Sequence, residues 1–310
     1  MPAMGRFVNS GGLAHTDRRR IMYQSFQDII DIEKETGKSF WEIVRDNDCR
    51  EMEITEEEAF RRMQAMYLAM GEADASYDPA LSSASGLVGG DGEKLADARR
   101  KDSLLCGSFL GLVMEKAVKM GESNACMRRI VAAPTAGSCG VLPAVFLSLE
   151  EEKGYSKEEM AKALYVSAGI GGIIAQRASV SGAAGGCQAE IGAASAMAAG
   201  AVAFLLGGDG EAIAHAAALA MKNLLGLACD PVAGLVEVPC VKRNVIGAVN
   251  ALTSADLANA GIRSKIPPDE VFDAMRNVGR MLPEDLRETG KGGLAATPTG
   301  IAFREGLKTF

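Results

Sequence analysis

Seven cysteines, at positions 49, 106, 126, 139, 187, 229 and 240, carry the most distinctive chemistry in this sequence. Their number is odd and we expect no export signal ahead of them, so a disulfide framework is not expected. No two are spaced as Cys-x-x-Cys, which removes compact zinc ribbons, bacterial ferredoxin runs and thioredoxin-like motifs. A metal site in this chain must therefore gather cysteines that are distant in sequence. Cys187, Cys229 and Cys240 suit that role because each falls at a loop or helix start, in Gly185-Gly186-Cys187-Gln188, Ala228-Cys229-Asp230-Pro231 and Val238-Pro239-Cys240. Backbone N–H groups at such places can hydrogen-bond the sulfurs of a bound cluster, and Gly182, Gly185 and Gly186 allow the close approach this needs. Free cysteine is also a small buried apolar residue, so packing is the competing account of all seven. Cys49, Cys106 and Cys126 lie in or beside helical patterns and are expected to pack. Cys139, in Pro134-Thr135-Ala136-Gly137-Ser138-Cys139-Gly140, is expected to be a tolerated small residue, with a role near the cluster as the minority alternative.

Candidates for proton transfer are sparse. Lys242 follows Cys240 by two residues, and Glu190 follows Cys187 by three, so either could stand near the sulfurs. A solvated lysine and a carboxylate that only supports a ligand are equally good accounts, and the catalytic base stays open. Thr135, Ser138, Ser179 and Ser181 could donate to a substrate carboxylate, although loop capping explains each as simply. Asp230-Pro231 is turn chemistry first. Of the two histidines, His15 lies in the leader and His215 in Ala-rich helical sequence, and neither is a strong acid–base candidate.

The elements that must position these residues are helical. Apolar residues make up 48% of the 310 residues, enough for a substantial core, while aromatics are only 5% and glycine reaches 36 residues. Close packing must then come from Ala- and Gly-rich helices. Periodicity predicts three short helices over 22–77, separated near Gly37 and Glu51, with Thr55-x-x-Glu58 as a capping box. Further helices are expected near 102–120, 140–152, 156–178 (capped by Ser156-x-x-Glu159), 188–206, 209–225, 241–260 and 268–280. Residues 78–92, with Pro79 and Gly86-Leu87-Val88-Gly89-Gly90-Asp91-Gly92, are expected to be a loop or linker. Val236–Val241 is the best strand candidate, and a βαβ alternation is missing. The expected fold is mainly α, a compact multi-helix domain in which Gly/Ala-rich loops form the cluster site. Residues 22–77 form an N-terminal helical region, expected to share one domain with the cluster-binding region 78–310.

Residues 1–21 contain Arg18-Arg19-Arg20 without an apolar stretch behind them and are expected to be a disordered leader, with Met22 as an alternative start. We expect a cytoplasmic protein. A formal net charge of -7 argues against nucleic-acid binding, and the apolar stretch Ile191–Leu206 is too short and too rich in Ala and Gly for a membrane span.

Three longer stretches carry a resemblance: SGAAGGCQAEIG (Ser181–Gly192), LACDPVAGLVEVPCVKRN (Leu227–Asn244) and ETGKGGLAATPTG (Glu288–Gly300). With APTAGS and GLVGGD in the same order, they resemble the α chain of bacterial iron–sulfur L-serine dehydratases, from about Met22 to Gly300. The resemblance implies an L-serine ammonia-lyase of serine catabolism and gluconeogenesis, converting L-serine to pyruvate and ammonia without pyridoxal phosphate. It also implies a four-iron, four-sulfur cluster held by Cys187, Cys229 and Cys240, with one iron left open to act as a Lewis acid on L-serine. A β subunit and a larger oligomer are implied too, because the family's Ser-Ser-His-Thr motif, carried by a β domain or β subunit, is not found here. Two alternatives stand beside this reading: a related cluster-dependent lyase such as a cysteine desulfidase, and a non-enzymatic iron–sulfur sensor.

Overall fold

The computed structural model describes residues 22–307, so the expectation for the leader 1–21 lies outside the described residues. The N-terminal helices are α1 (Phe26–Thr36), α2 (Phe40–Met52) and α3 (Glu56–Ala75). α4 (Asp91–Arg100), α5 (Gly107–Ala125), α6 (Val141–Lys153) and α7 (Lys157–Arg177) follow. The short α8 (Gly182–Gly185) leads into α9 (Ile191–Leu205), α10 (Gly210–Asn223), α11 (Cys240–Asn259), α12 (Pro268–Met281) and α13 (Pro298–Leu307). The expected mainly α fold is the one observed. No strand occurs among the described residues, where pairing of that kind is limited to an isolated bridge between Cys229 and Arg287. The expected strand at 236–241 is instead a turn that runs into the start of α11.

α9 is the centre of the molecule. Every residue from Ile191 to Ala203 is buried, and α7, α10 and α11 pack around it. Alanine and glycine make that crowding possible: a methyl group on Gly200 would come 2.2 Å from Ile170 Cδ1 of α7. Polar side chains bridge the crossings. Ser195 Oγ donates to Gly247 O at 2.7 Å, and Asn250 Nδ2 donates to Ser195 Oγ and to Ala220 O, tying α9, α10 and α11 together. The stretch Cys187–Leu205 is the one described helical run long and apolar enough to cross a membrane, and 83% of it is buried.

The local helix signals operate as expected in part. Ser156 and Glu159 form a reciprocal capping box at α7. At α3, Thr55 Oγ1 accepts from Glu58 N at 3.2 Å, but the reciprocal half is missing because the Glu58 carboxylate pairs with Arg61 and Arg62. α5 starts at Gly107, later than expected, since Asp102 and Gly107 adopt positive φ and keep the chain in turns. α4 was expected as loop or unassigned sequence. Only Gly92 and Ala96 of it are buried, so it shows no apolar stripe, and its first N–H groups, on Asp91 and Gly92, donate to the Glu122 carboxylate at 2.8 and 3.1 Å. A carboxylate from another helix thus caps it. α13 begins where the family motif ends, with Thr297 Oγ1 accepting from Gly300 N ahead of Pro298, a Thr-Pro start the sequence did display.

One partly buried acid makes stability depend on pH. Asp48 on α2 makes no hydrogen bond or ion pair among the described residues, and its partial burial together with the Glu51 carboxylate pushes its pKa from 3.8 up to about 6. The folded chain therefore holds this proton more tightly than the unfolded chain. That contribution to stability is complete below the unfolded value and is lost as pH rises through about 6. We expect Asp48→Asn to stabilise the fold at pH 8 by about 1–2 kcal/mol, after discounting for water reaching the carboxylate. Urea midpoints at pH 8 and pH 4 check this: a gain that fails to shrink at pH 4 rules out the titration as its cause.

Candidate metal centre

Three separate segments bring Cys187, Cys229 and Cys240 to one place. Cys187 opens a single 3-10 turn, Cys187–Ala189, between α8 and α9, and Cys240 is the first residue of α11. Cys229 lies in the connection after α10. Its N–H donates to Leu286 O, and its carbonyl accepts from Glu288 N, both at 2.8 Å, so the 227–230 and 286–288 segments run side by side. All three side chains are buried, at 3%, 3% and 8% exposure. The Cys187 thiol lies close enough to Cys229 and Cys240 for the three to perturb one another electrostatically.

Buried polar side chains lock these segments in register. The Gln188 backbone N–H donates to Leu227 O, its Nε2 donates to Met275 O, and its Oε1 accepts from Gly226 N. This single side chain joins the Cys187 turn, the approach to Cys229 and α12. Asn244 performs the same service one turn into α11, donating to Gly137 O and Cys240 O at 3.0 Å and accepting from Gly140 N at 2.8 Å. Asp230 accepts from Arg243 Nη2 at 2.9 Å and from Leu294 N at 2.9 Å, anchoring the 293–296 turn. Gly293 has φ +58 and would place a methyl group 2.4 Å from Asp230 Oδ2, so this turn requires glycine.

The electrostatics distinguish the three thiols. The adjacent Cys229 thiol, and after it the Arg243 guanidinium, hold the Cys187 pKa below the ordinary thiol value. Cys229 is pushed upward by the adjacent Cys187 thiol and by burial. Burial, then the Cys187 and Glu190 charges, push Cys240 up to about 12. Arg243 also donates to Ala228 O at 2.8 Å, which fixes it beside Cys187.

Two carboxylates face the same space. Glu190 Oε1 accepts from Thr135 Oγ1 at 2.7 Å, and Cys229 Sγ donates to Glu190 Oε2 at 3.8 Å. Burial, and behind it the Glu288 charge, raise the Glu190 pKa. Glu288 holds a left-handed backbone, φ 63, directly after the segment paired with Cys229. Gly182 marks the shared space: a methyl group there would fall 2.6 Å from Glu190 Oε2, 3.1 Å from Glu288 Oε2 and 3.2 Å from Cys229 Sγ. The bare glycine leaves open a cradle bounded by two carboxylates and a thiol. Among the described residues no group of three or more His, Cys, Asp or Glu side chains is arranged to hold a single metal ion.

The other candidates fall elsewhere or play supporting parts. Lys242 is half exposed, and its Nζ pairs with Asp91 Oδ2 at 2.5 Å, so it is not one of the groups around the thiols. Thr135 is there through Glu190, whereas Ser138 is fully buried and bonds back to Thr135. Ser179 accepts from Ser181 N and lines a cavity of about 220 Å³ with Gln188, Arg276 and Arg280. Ser181 is exposed at the start of α8. Cys139 packs with Ala73 and Met120 in a small apolar cluster of its own. Cys106, expected to pack, is exposed ahead of α5. His215 sits on α10 beside Glu211. Arg243 and Glu288 were not singled out from sequence. Both lie inside the motif stretches, but nothing local marks an arginine three residues after a cysteine, or a glutamate before Thr-Gly, as facing a thiol pocket.

Known proteins resemble this chain over most of its length. Residues 35–295 match the family described as serine dehydratase alpha chain. The probable L-serine dehydratase, alpha chain, of Bacillus subtilis (strain 168) is 46% identical over 279 residues, covering 90% of this chain and 93% of that one. The L-serine dehydratase, alpha chain, of Peptoniphilus asaccharolyticus is 40% identical over 285 residues, 91% of this chain and 97% of its own. L-serine dehydratase 2 of Escherichia coli (strain K12) is 41% identical over 181 residues, which cover 58% of this chain and 40% of that longer protein.

Proposed function

Because the chain belongs to the serine dehydratase alpha chain family, we propose that it is the cluster-bearing subunit of an L-serine dehydratase, a lyase that converts L-serine to pyruvate and ammonia. In this reading Cys187, Cys229 and Cys240 hold a four-iron, four-sulfur cluster. The observation that carries it is the convergence of three buried thiols from three segments on a space also faced by Glu190 and Glu288. The donor chemistry fits: thiolates are the ligands of such clusters, and Arg243 beside Cys187 favours the thiolate form. When bound, the cluster would supply Lewis acidity at an iron not held by cysteine, available to the carboxylate and β-hydroxyl oxygens of serine.

The chain's own residues supply the rest. The Cα proton of serine is weakly acidic, so a base must stand against it in a site closed to water. We assign that part to Glu190, because its carboxylate borders the cradle at Gly182 and Thr135 fixes its orientation through Oε1. Burial and Glu288 raise its proton affinity, bringing it closer to the proton it must take. Glu288 offers a second negative charge to the substrate ammonium. Gly182 and Gly137 keep the space around Glu190 free of side chains, a methyl group on Gly137 lying 3.1 Å from Glu190 Oε1. Loss of the Cα proton to Glu190 and of the β-hydroxyl, which leaves as water by taking that proton back from Glu190, gives aminoacrylate. Tautomerisation and hydrolysis then yield pyruvate and ammonium.

The test is anaerobic reconstitution followed by iron and sulfide analysis and by product assays with L-serine and L-cysteine. Pyruvate from L-serine, at an efficiency well above sulfide release from L-cysteine, is expected; the reverse preference makes the chain a desulfidase instead. The relatives are named as alpha chains, and Val236, Leu294 and Phe303 are exposed, Leu294 on the turn that Asp230 anchors. We therefore expect a β chain to complete the enzyme. Adding it should raise kcat/KM by at least about tenfold, or about 1.4 kcal/mol of transition-state stabilisation. Full turnover by the cluster-loaded chain alone would remove the β subunit from this account.

A further inference from the structure

Away from the thiols, α2, α3 and α7 enclose a cavity of about 240 Å³. Its walls are apolar, with Met52, Ile54, Met63 and Met66 contributing most of the lining, and Met52 and Met66 remain about half exposed. Two polar groups interrupt these walls. Tyr165 is 1% exposed, yet its hydroxyl makes no hydrogen bond among the described residues and is not sealed off from the cavity it lines. Asp48, partly buried, lines the same cavity with a carboxylate that has neither hydrogen bond nor ion pair among the described residues.

A carboxylate and a phenol that face the cavity without a protein partner are available to a ligand. The nearby Glu51 carboxylate makes the local field more negative still, and burial with that charge pushes the Asp48 pKa up to about 6. A ligand cation with hydrogen-bond donors would pair with both. At the rim, Arg62 lends its Nε to Glu58 and its Nη1 to Met52 Sδ, and its Nη2 is uncommitted. The cavity is smaller than the roughly 300–1,000 Å³ of sites for drug-sized molecules, so its occupant is small.

We infer that this cavity binds a free L-α-amino acid with an apolar side chain. Its ammonium pairs with Asp48 and donates to the Tyr165 hydroxyl, its carboxylate accepts from Arg62, and its side chain lies among the methionines. Methionine walls suit such a ligand because the unbranched thioether adapts to different aliphatic shapes. The site stands apart from the thiol pocket and does not depend on the function proposed for it. Tyr165 lies on α7, whose C-terminal end leads into the loop that carries Cys187.

The experiment uses the full chain with methyl-labelled methionine, titrated with L-leucine, L-isoleucine and L-methionine by calorimetry and NMR. Two probes each lack one charge of leucine: 3-methylbutylamine and 4-methylpentanoate. The methyl signals of Met52, Met63 and Met66 should shift on adding the amino acids, while those of the core residues Met197 and Met221 stay in place. Loss of the ligand ammonium, in 4-methylpentanoate, or of its partner, in Asp48→Asn, should weaken binding about tenfold or more, and Tyr165→Phe should weaken it about threefold. Because Asp48→Asn is expected to stabilise the fold, weaker binding by that variant cannot be ascribed to unfolding. The inference is overturned if none of the three amino acids binds at about 10 mM, a concentration that would reveal even very weak sites. Equal binding of 4-methylpentanoate, undiminished binding by Asp48→Asn, or methionine shifts produced only by a partner chain would overturn it too.

Discussion

Alanine in place of Cys187, Cys229 or Cys240 is expected to abolish cluster binding and turnover together, while the fold survives. The three thiols are buried and converge from segments 187–189, 227–230 and 240 onward, so each replacement removes one of three proposed ligands with no neighbouring cysteine to take its place. Cys139, the remaining buried cysteine, sits in a separate apolar cluster with Ala73 and Met120. Exchanging a buried thiol for a methyl leaves a small void that costs about 1 kcal/mol, too little to unfold a domain of this size. Iron and sulfide content after anaerobic reconstitution, with far-ultraviolet circular dichroism in parallel, therefore separates ligand loss from unfolding. Cys139→Ala and Cys49→Ala should reconstitute normally. If the triple variant of Cys187, Cys229 and Cys240 still takes up four irons per chain, the ligand assignment is wrong.

Glu190→Gln should produce the next largest loss. The amide preserves the shape of the side chain and its contact with Thr135 Oγ1, but it cannot accept the Cα proton. A missing general base typically lowers kcat by about 10²–10⁴. Because Glu190 is not one of the proposed ligands, iron and sulfide content should match the parent, and KM for L-serine should change far less than kcat. Glu288→Gln is expected to show the opposite balance, a raised KM with a smaller effect on kcat, because its part is to receive the ammonium. Turnover by Glu190→Gln within about threefold of the parent would be too small a loss for a general base and would pass that role to another group.

The helical architecture was legible wherever the signal was local. Ser156 and Glu159 cap α7 from three residues apart, and the unbroken run of small and apolar residues from Ile191 to Ala203 can only be a helix buried on all sides. α4 was not legible, because what holds it lies elsewhere: its first N–H groups are satisfied by Glu122, about thirty positions further on. Val236–Val241, the best strand candidate in the sequence, forms no strand, because the chain is turning from Val232–Gly234 into the start of α11.

For the candidate site the division follows the same physics. The sequence by itself determined which groups were available: cysteines at loop and helix starts, glycines that let backbone come close, and a glutamate three residues past Cys187. Which of them meet was decided only in three dimensions. Lys242, two residues from Cys240, is drawn off to Asp91, while Arg243 beside it turns toward Cys187 and Asp230. Glu288, fifty-nine positions after Cys229, is carried to the cradle by backbone pairing with it. Adjacent residues on a helix point about 100° apart, so proximity in sequence says little about which one enters a site. The packing of α7, α10 and α11 on the small-residue surface of α9 sets where the loops at their ends converge, and that packing is a property of the whole chain rather than of any motif within it.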